Sequence, residues 1–435
     1  MKILIKDGRV LDPATNTDEI VDILTVDDKI AARGNEIYDK DLAGNLDGDC
    51  AVIDAKGCYV MPGLIDLHVH LRDPGLEYKE TIATGGRAAA RGGFTTIVAM
   101  ANTKPVIDTP EKLQAVQERA SVESPINVLQ AGSLTIGMEG EELADIEGMV
   151  EAGAYVLSED GKTVMNAQLF REAAAMAAKN GIPILDHCED SNMKSNGVMN
   201  DCEKAVELGV KGISNAVEDV IIARDILIAK ELGAPLHICH CSTADSVKMI
   251  QLAKEEGLAV TGEVCPHHFT LTSDDIPGHD SNYKMAPPLR SSEDVKALKQ
   301  GLKDGIMDVI STDHAPHAAK EKTSDMASAA FGIVGLETAV ALTVSELVEP
   351  GILTPLQMAE KMSYNPSKIL GLGKGSLETG KTADITIIDP CTEYVIDKET
   401  FVSKGRNTPF DGRKVRGKVV ATICGGEIVF EERSN

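Results

Sequence analysis

Tryptophan is absent and aromatic side chains make up only 3% of the 435 residues, so tryptophan fluorescence cannot report on this chain. Positive charge is scarce as well: 43 Lys and Arg stand against 68 Asp and Glu, a formal net charge of -25. A chain so acidic is a poor partner for nucleic acid or for an anionic membrane surface. It does not exclude a small anionic substrate, because the local field of a site can oppose the global one. No run approaches the roughly 20 apolar residues of a membrane helix, and Ile3-Leu4-Ile5 before Lys6-Asp7 is too short for a signal-peptide core. A disulfide framework is missing too: nine cysteines, an odd number without framework spacing, suit reduced thiols in the cytosol. A soluble, cytoplasmic protein is expected.

What is present is ordinary for a globular protein, with 43% hydrophobic and 26% charged residues. Residues 1–58 read as short strands and turns, as in Lys2-Ile3-Leu4-Ile5-Lys6 and Ile20-Val21-Asp22-Ile23-Leu24. The same texture returns in residues 376–435, with Asp384-Ile385-Thr386-Ile387-Ile388-Asp389 and Lys418-Val419-Val420-Ala421-Thr422-Ile423. Neither end has enough strands for a good sheet alone, so the two termini are expected to share one small β-sandwich domain. Residues 59–375 change rhythm. Strand-like runs at 64–70, 95–100, 127–132, 155–158, 182–187, 235–240, 258–264 and 308–312 alternate with helical stretches such as 79–91, 167–179, 217–232 and 243–255. Eight strands alternating with helices predict an α/β fold, a (β/α)8 TIM barrel. A doubly wound sheet would want a Gly-rich phosphate turn after an early strand, and none is present.

In such a barrel the C-terminal strand ends face one mouth, where the chemistry is done. The first strand closes the apolar run Val60-Met61-Pro62-Gly63-Leu64-Ile65-Asp66-Leu67 with His68-Val69-His70. Strand alternation turns His68 and His70 to one side, with Asp66 behind them. The fourth strand ends in Ser158-Glu159-Asp160-Gly161, the fifth in Asp186-His187-Cys188-Glu189, the sixth in His237-Ile238-Cys239-His240, and the eighth in Ser311-Thr312-Asp313-His314. Each alone reads more readily as a cap or a hydrogen-bonded core residue. Together, four histidines and two carboxylates exceed one catalytic zinc and suit two ions about 3.5–4 Å apart. Such a pair acidifies water and polarises a carbonyl, the requirements of amide hydrolysis. Asp313, beside the nucleophile, can shuttle the proton. The cysteines beside these histidines (Cys188, Cys239, Cys241) should point away from the mouth and act as small apolar residues. His267 and His268, after Cys265, are further candidates without an evident partner. His237 and His279 read as structural or exposed.

The segment His68-Val69-His70-Leu71-Arg72-Asp73-Pro74-Gly75 resembles the signature of dihydroorotases of the amidohydrolase superfamily. Further matches are Met100-Ala101-Asn102-Thr103-Lys104-Pro105, Lys284-Met285-Ala286-Pro287-Pro288-Leu289-Arg290, Thr312-Asp313-His314-Ala315-Pro316-His317 and Phe331-Gly332-Ile333-Val334-Gly335. The resemblance spans nearly the whole chain and is strongest to the bacterial class I type. It implies reversible cyclisation of N-carbamoyl-L-aspartate to L-dihydroorotate in pyrimidine synthesis, with two zinc ions per subunit. By motif, His68 and His70 would hold one ion and His187 and His240 the other. Asp160 would bridge them, and Asp313 would be both ligand and general acid/base. Arg72 and Asn102 would take the substrate carboxylate, with His70, Leu71, His317 and the Phe331-Gly332 backbone completing the contacts. The segment 314–332 would be a mobile loop over the mouth.

Two departures bear on this. Ala286 stands where many relatives have Asn, as in allantoinase-like enzymes, which with hydantoinases are the alternative activity. Asp160 stands where several relatives bridge the metals through a carbamylated lysine, and Lys162 is the one lysine close by. A different class of reading, an inactive structural partner of aspartate carbamoyltransferase, is disfavoured because all six ligands are present. A homo-oligomer is expected, and a complex with that transferase is compatible with an active enzyme.

Overall fold

A computed structural model describes residues 1–35, 37, 50–323 and 325–432; residues 38–49 of the N-terminal segment lie outside the described residues. Strands β1 (Lys2–Asp12), β2 (Thr17–Val26), β3 (Lys29–Gly34), β4 (Cys50–Asp54) and β5 (Tyr59–Pro62) come from the N-terminal side. The C-terminal side supplies β16 (Ile385–Val395), β17 (Lys414–Cys424) and β18 (Glu427–Glu431). They form one eight-stranded mixed sheet, ordered β18-β17-β16-β5-β1-β2-β3, with β4 parallel to β1. Apolar residues of one strand face, among them Ile3, Ile5, Val60, Ile385, Ile387 and Ile423, make its buried cluster.

The central strands are β6 (Leu64–Val69), β7 (Phe94–Ala99), β8 (Asn127–Gln130), β9 (Leu157–Ser158), β10 (Ile184–Asp186), β13 (Leu236–Ile238), β14 (Val260–Val264) and β15 (Val309–Ile310). A short parallel pair, β11 (Met199–Asn200) and β12 (Gly212–Ile213), lies between β10 and β13 in the chain. The eight central strands are parallel and form two arcs, β6-β7-β8 and β9-β10-β13-β14-β15. Single parallel bridges join the arcs at both seams, Gly132 to Leu157 and Val69 to His314. Ile65, Leu67, Val98, Ala131, Leu185 and Val309, from or beside strands of both arcs, pack into one buried cluster, so side chains fill the space between the arcs.

The intervening helices start where side-chain caps are available. Thr81 caps Ile82–Arg91, Asn166 caps Ala167–Asn180 and Thr243 caps Ala244–Glu255. Each accepts from a backbone N–H that the first turn leaves unpaired. Among the described residues no helix is long and apolar enough to cross a membrane.

Two readings of the sequence need correcting. The apolar run 60–70 is two strands in two sheets, β5 and β6, with a break at Gly63. A Cβ at Gly63 would meet Thr95 Oγ1 at 2.2 Å, so only glycine fits where the sheets part. Simple alternation also fails within β6. Ile65 and Leu67 face the interior cluster, and the register slips between Asp66 and Val69. That irregularity re-aims His68 inward immediately after Leu67, as a bulge does.

Candidate metal centre and active site

The strand ends bring His68, His70, Asp160, His187, His240 and Asp313 together, all buried. Asp160 stands at the centre. Its Oδ1 lies 3.1 Å from His68 Nε2, 3.1 Å from His187 Nδ1 and 3.4 Å from His240 Nε2, while its Oδ2 lies 3.3 Å from His70 Nε2. Asp313 Oδ1 is 3.1 Å from His70 Nε2 and 3.6 Å from His68 Nε2, and His187 Nδ1 is 2.8 Å from His240 Nε2. Ligands about 2.0–2.1 Å from a tetrahedral zinc sit roughly 3.4 Å apart, a spacing these distances approach.

The donor set fits divalent metal on three counts. First, His68 Nε2, the ring nitrogen that faces Asp160 and Asp313, is buried with no hydrogen-bond partner. Without metal the charge balance demands a cation: burial opposes a charged His187, yet Asp160 and Glu189 outweigh it and hold it up at about 10. Third, His68 is oriented from behind. Its Nδ1 pairs with Glu263 Oε1 at 2.9 Å, which puts the proton on Nδ1 and leaves the Nε2 lone pair aimed inward. The same carboxylate accepts from His237 Nε2 at 3.1 Å and from the His240 backbone N–H at 3.1 Å.

Local backbone cost marks the same place. Arg72, His240 and Asp313 adopt φ values of 61°, 34° and 48°, a left-handed conformation that L-residues with side chains rarely hold without compensation. Alternation therefore breaks at His240, and Cys239 does not point away as expected. It joins the interior cluster, with its Sγ within 4.8 Å of ligand atoms of His68 and Glu263.

A cavity of about 220 Å³ opens onto the cluster, bordered by Arg72, Asn102, Glu189, Lys194, Ala286, His317, Phe331 and Gly332. Arg72 is 8% exposed. Its Nε donates to Pro316 O at 3.3 Å and its NH2 group lies 3.5 Å from His317 Nε2, with no carboxylate in ion-pair range among the described residues. Asn102 Oδ1 pairs with His70 Nδ1 at 3.0 Å. Its Nδ2 is left facing Gly161, where a Cβ would come within 3.0 Å of it and φ is +88°. His317 donates from Nε2 to Phe331 O at 2.8 Å, and burial with the charges of Arg72 and Lys79 pulls it down to about 3, a neutral imidazole. Lys194 Nζ and Lys284 Nζ lie 4.3 Å and 4.2 Å from the centre of the Phe331 ring. Gly332 N–H donates to Lys284 O at 3.0 Å, and Gly332 O accepts from Asn407 and Lys322.

Leu71 is buried and packs toward Gly85 of the helix Ile82–Arg91, outside the cavity lining. Lys162 turns away from the cluster, its Nζ donating to Met138 O at 2.7 Å. His237 is structural, as expected, and His279 is exposed. Sequence reasoning placed Glu189 at a strand end without a role and missed Glu263 and Lys194. An acid at the end of the seventh predicted strand was a readable signal for Glu263. Lys194 reaches the cavity from the short helix Ser191–Lys194, for which the sequence offers only the Asp190 cap.

The Dihydro-orotase-like family model matches residues 57–246. The chain is 50% identical over 433 residues to a dihydroorotase of Pelotomaculum thermopropionicum, covering 100% of this chain and 99% of that one. It is 45% identical over 433 residues to a dihydroorotase of Trichlorobacter lovleyi, covering 100% of both. Among solved structures, the L-hydantoinase (dihydropyrimidinase) of Arthrobacter aurescens is similar at a TM-score of 0.86 with 27% identity, over 99% of this chain and 96% of that one.

Proposed function

This chain belongs to the dihydroorotase family, and we propose that its buried strand-end cluster is the active site that opens and closes the dihydroorotate ring. It is a cyclic amidohydrolase of pyrimidine biosynthesis, converting N-carbamoyl-L-aspartate to L-dihydroorotate and water reversibly. We read it as the bacterial class I type on a (β/α)8 barrel.

The observation that carries the substrate assignment is Arg72. The Arg72 guanidinium, buried beside the cluster, feels Asp313 and Asp160 at a distance but among the described residues has no carboxylate in direct contact, the partner a buried cation gains most from. A substrate carboxylate supplies it, in the two-pronged geometry a guanidinium favours. The Asn102 Nδ2 group would add a second donor.

His68, His70 and Asp313 would hold one metal ion, His187 and His240 the other, and Asp160 both; zinc matches the imidazole and carboxylate donors. Bound there, the ions supply Lewis acidity toward the amide carbonyl and acidify water near neutral pH. The remaining work falls to side chains. The Asp313 carboxylate would take a proton from the attacking water and return it to the leaving ring nitrogen, and in the reverse direction the transfers exchange. Burial opposes its charged form, but the His70 hydrogen bond and the neighbouring imidazoles keep it below the usual carboxylate range, ready to accept. Glu263 keeps the His68 tautomer fixed throughout.

The test is ring opening of L-dihydroorotate by metal-replete protein, with allantoin and hydantoin as controls. Turnover of dihydroorotate alone, abolished in Asp313→Ala, is expected. Turnover of allantoin or hydantoin instead would reject the substrate assignment and mark Ala286 as the residue that changed it.

A further inference from the structure

Strand β14 runs into Cys265, and Pro266 opens the five-residue helix Pro266–Thr270, which carries His267 and His268. None of the three serves the reaction described above. All are buried, at 0%, 2% and 2% exposure, and the imidazole centroids are 4.2 Å apart. His268 donates from Nε2 to Pro287 O at 3.0 Å, which fixes its proton there and leaves Nδ1 as a lone pair. That Nδ1 has no partner, and neither has His267 Nε2. Buried polar atoms are ordinarily paired, yet here two neighbouring rings each carry an unpaired nitrogen. The Cys265 thiol completes the group: its Sγ and one nitrogen of each ring lie within 4.8 Å of one another.

Two imidazole nitrogens alone could be met by water. A sulfur converging on the same space changes the chemistry, because a thiol is a weak hydrogen-bonding group but, once deprotonated, a strong ligand for zinc. We propose that Cys265, His267 and His268 form a further divalent-metal site, best suited to zinc and separate from the centre at the strand mouth. The two sets share no residue. Three protein ligands leave one tetrahedral position for water or another small ligand. Binding converts the Cys265 thiol to thiolate and releases its proton to solvent. Burial already holds both rings in the neutral form that ligates metal, with His267 pulled down to about 4. This inference is independent of the dihydroorotase reading, because nothing in it depends on turnover.

The test is cobalt binding to the full-length, chelator-stripped protein. Wild type is expected to take up one more cobalt per chain than Cys265→Ala, and to show a near-ultraviolet thiolate-to-cobalt absorption that the variant lacks. His268→Gln should lose the same equivalent. Cys239→Ala and Cys188→Ala should each retain both equivalent and absorption, since theirs are the other thiols near candidate ligand sets. Equal uptake in wild type and Cys265→Ala, or an absorption that persists in Cys265→Ala, overturns the proposal. A variant-free measurement covers the case in which these substitutions impair folding. Crystals of wild type grown with zinc should show anomalous density at the zinc edge between Cys265 Sγ and the two rings; density for water without anomalous signal would reject the site.

Discussion

In the terminal sheet, Ile3, Ile385, Ile387 and Ile423 are fully buried and the backbone is paired strand to strand. Its left-handed residues are Asp7, Asn16 and Asp27, the short polar types that tolerate that conformation in turns and bulges. At the strand mouth the buried residues are histidines and carboxylates, and the left-handed positions include Arg72, a long side chain with no such tolerance. One region obeys the local rules and the other departs from several at once. Natural sequences are locally consistent except where function overrides stability, so the mouth is where strain and unpaired nitrogens should be read as chemistry. Activity should then be fragile at the mouth and stability fragile in the sheet.

The largest effect tests the first half of that contrast. Asp313→Asn keeps shape but cannot accept a proton, so kcat for ring opening should fall about 10²–10⁴-fold, with the thermal midpoint little changed. A variant within about threefold of wild type would show that another group carries the proton. Next comes the sheet. Ile387→Ala should cost roughly 2–5 kcal/mol of stability in denaturant titration, while kcat per folded molecule stays at the wild-type value. A proportional loss of kcat in folded protein would dissolve the contrast.

Smaller again is the effect of Arg72→Lys, which keeps the charge and removes the planar fork. Loss of one charge-assisted hydrogen bond, about 1.5–3 kcal/mol, predicts a rise in KM of roughly 10–100-fold with a smaller change in kcat. Unchanged KM would mean that Arg72 faces something other than the substrate carboxylate.

Much of this arrangement could be read from the chain because strand order and strand ends follow from apolar runs and their polar terminators. The helix predicted at 243–255 begins one residue later, at Ala244, because Thr243 is its cap. The helices Pro110–Glu123 and Ser292–Lys303 went unassigned although Thr109-Pro110 and the Ser291–Asp294 box announce them. Other features were hidden in principle. Alternation could not anticipate the slip in β6 or the left-handed His240, so the direction of Cys239 came out wrong. Glu263 acts across the strands on His68 and His237, 195 and 26 residues away, a pairing that no local pattern encodes. The convergence of Cys265, His267 and His268 depends on a short helix turning two successive side chains inward, which only the folded chain displays.

The smallest effect probes the segment that borders the mouth. Lys322 Nζ reaches Lys284 O, Ala330 O and Gly332 O at 3.2, 2.9 and 3.0 Å, so that in its protonated form one ammonium group ties that segment to three carbonyls. Burial and the charge of Lys284 pull it down to about 7, against a weaker opposing pull from Asp280. In the unfolded chain the same amine keeps its proton up to its ordinary value of 10.5. Between those values the unfolded state binds more protons than the folded one, so this residue makes stability rise with pH. Its contribution to the slope cannot exceed about 1.4 kcal/mol per pH unit, the limit for one proton. Unfolding free energies of wild type and Lys322→Met, measured from pH 7 to 10, should therefore diverge, with the wild-type curve climbing more steeply. Parallel curves would mean that Lys322 stays charged when folded, its three carbonyls serving it as well as water does. The segment at the mouth would then be fastened as firmly as the terminal sheet, and the contrast would stop at the ligands themselves.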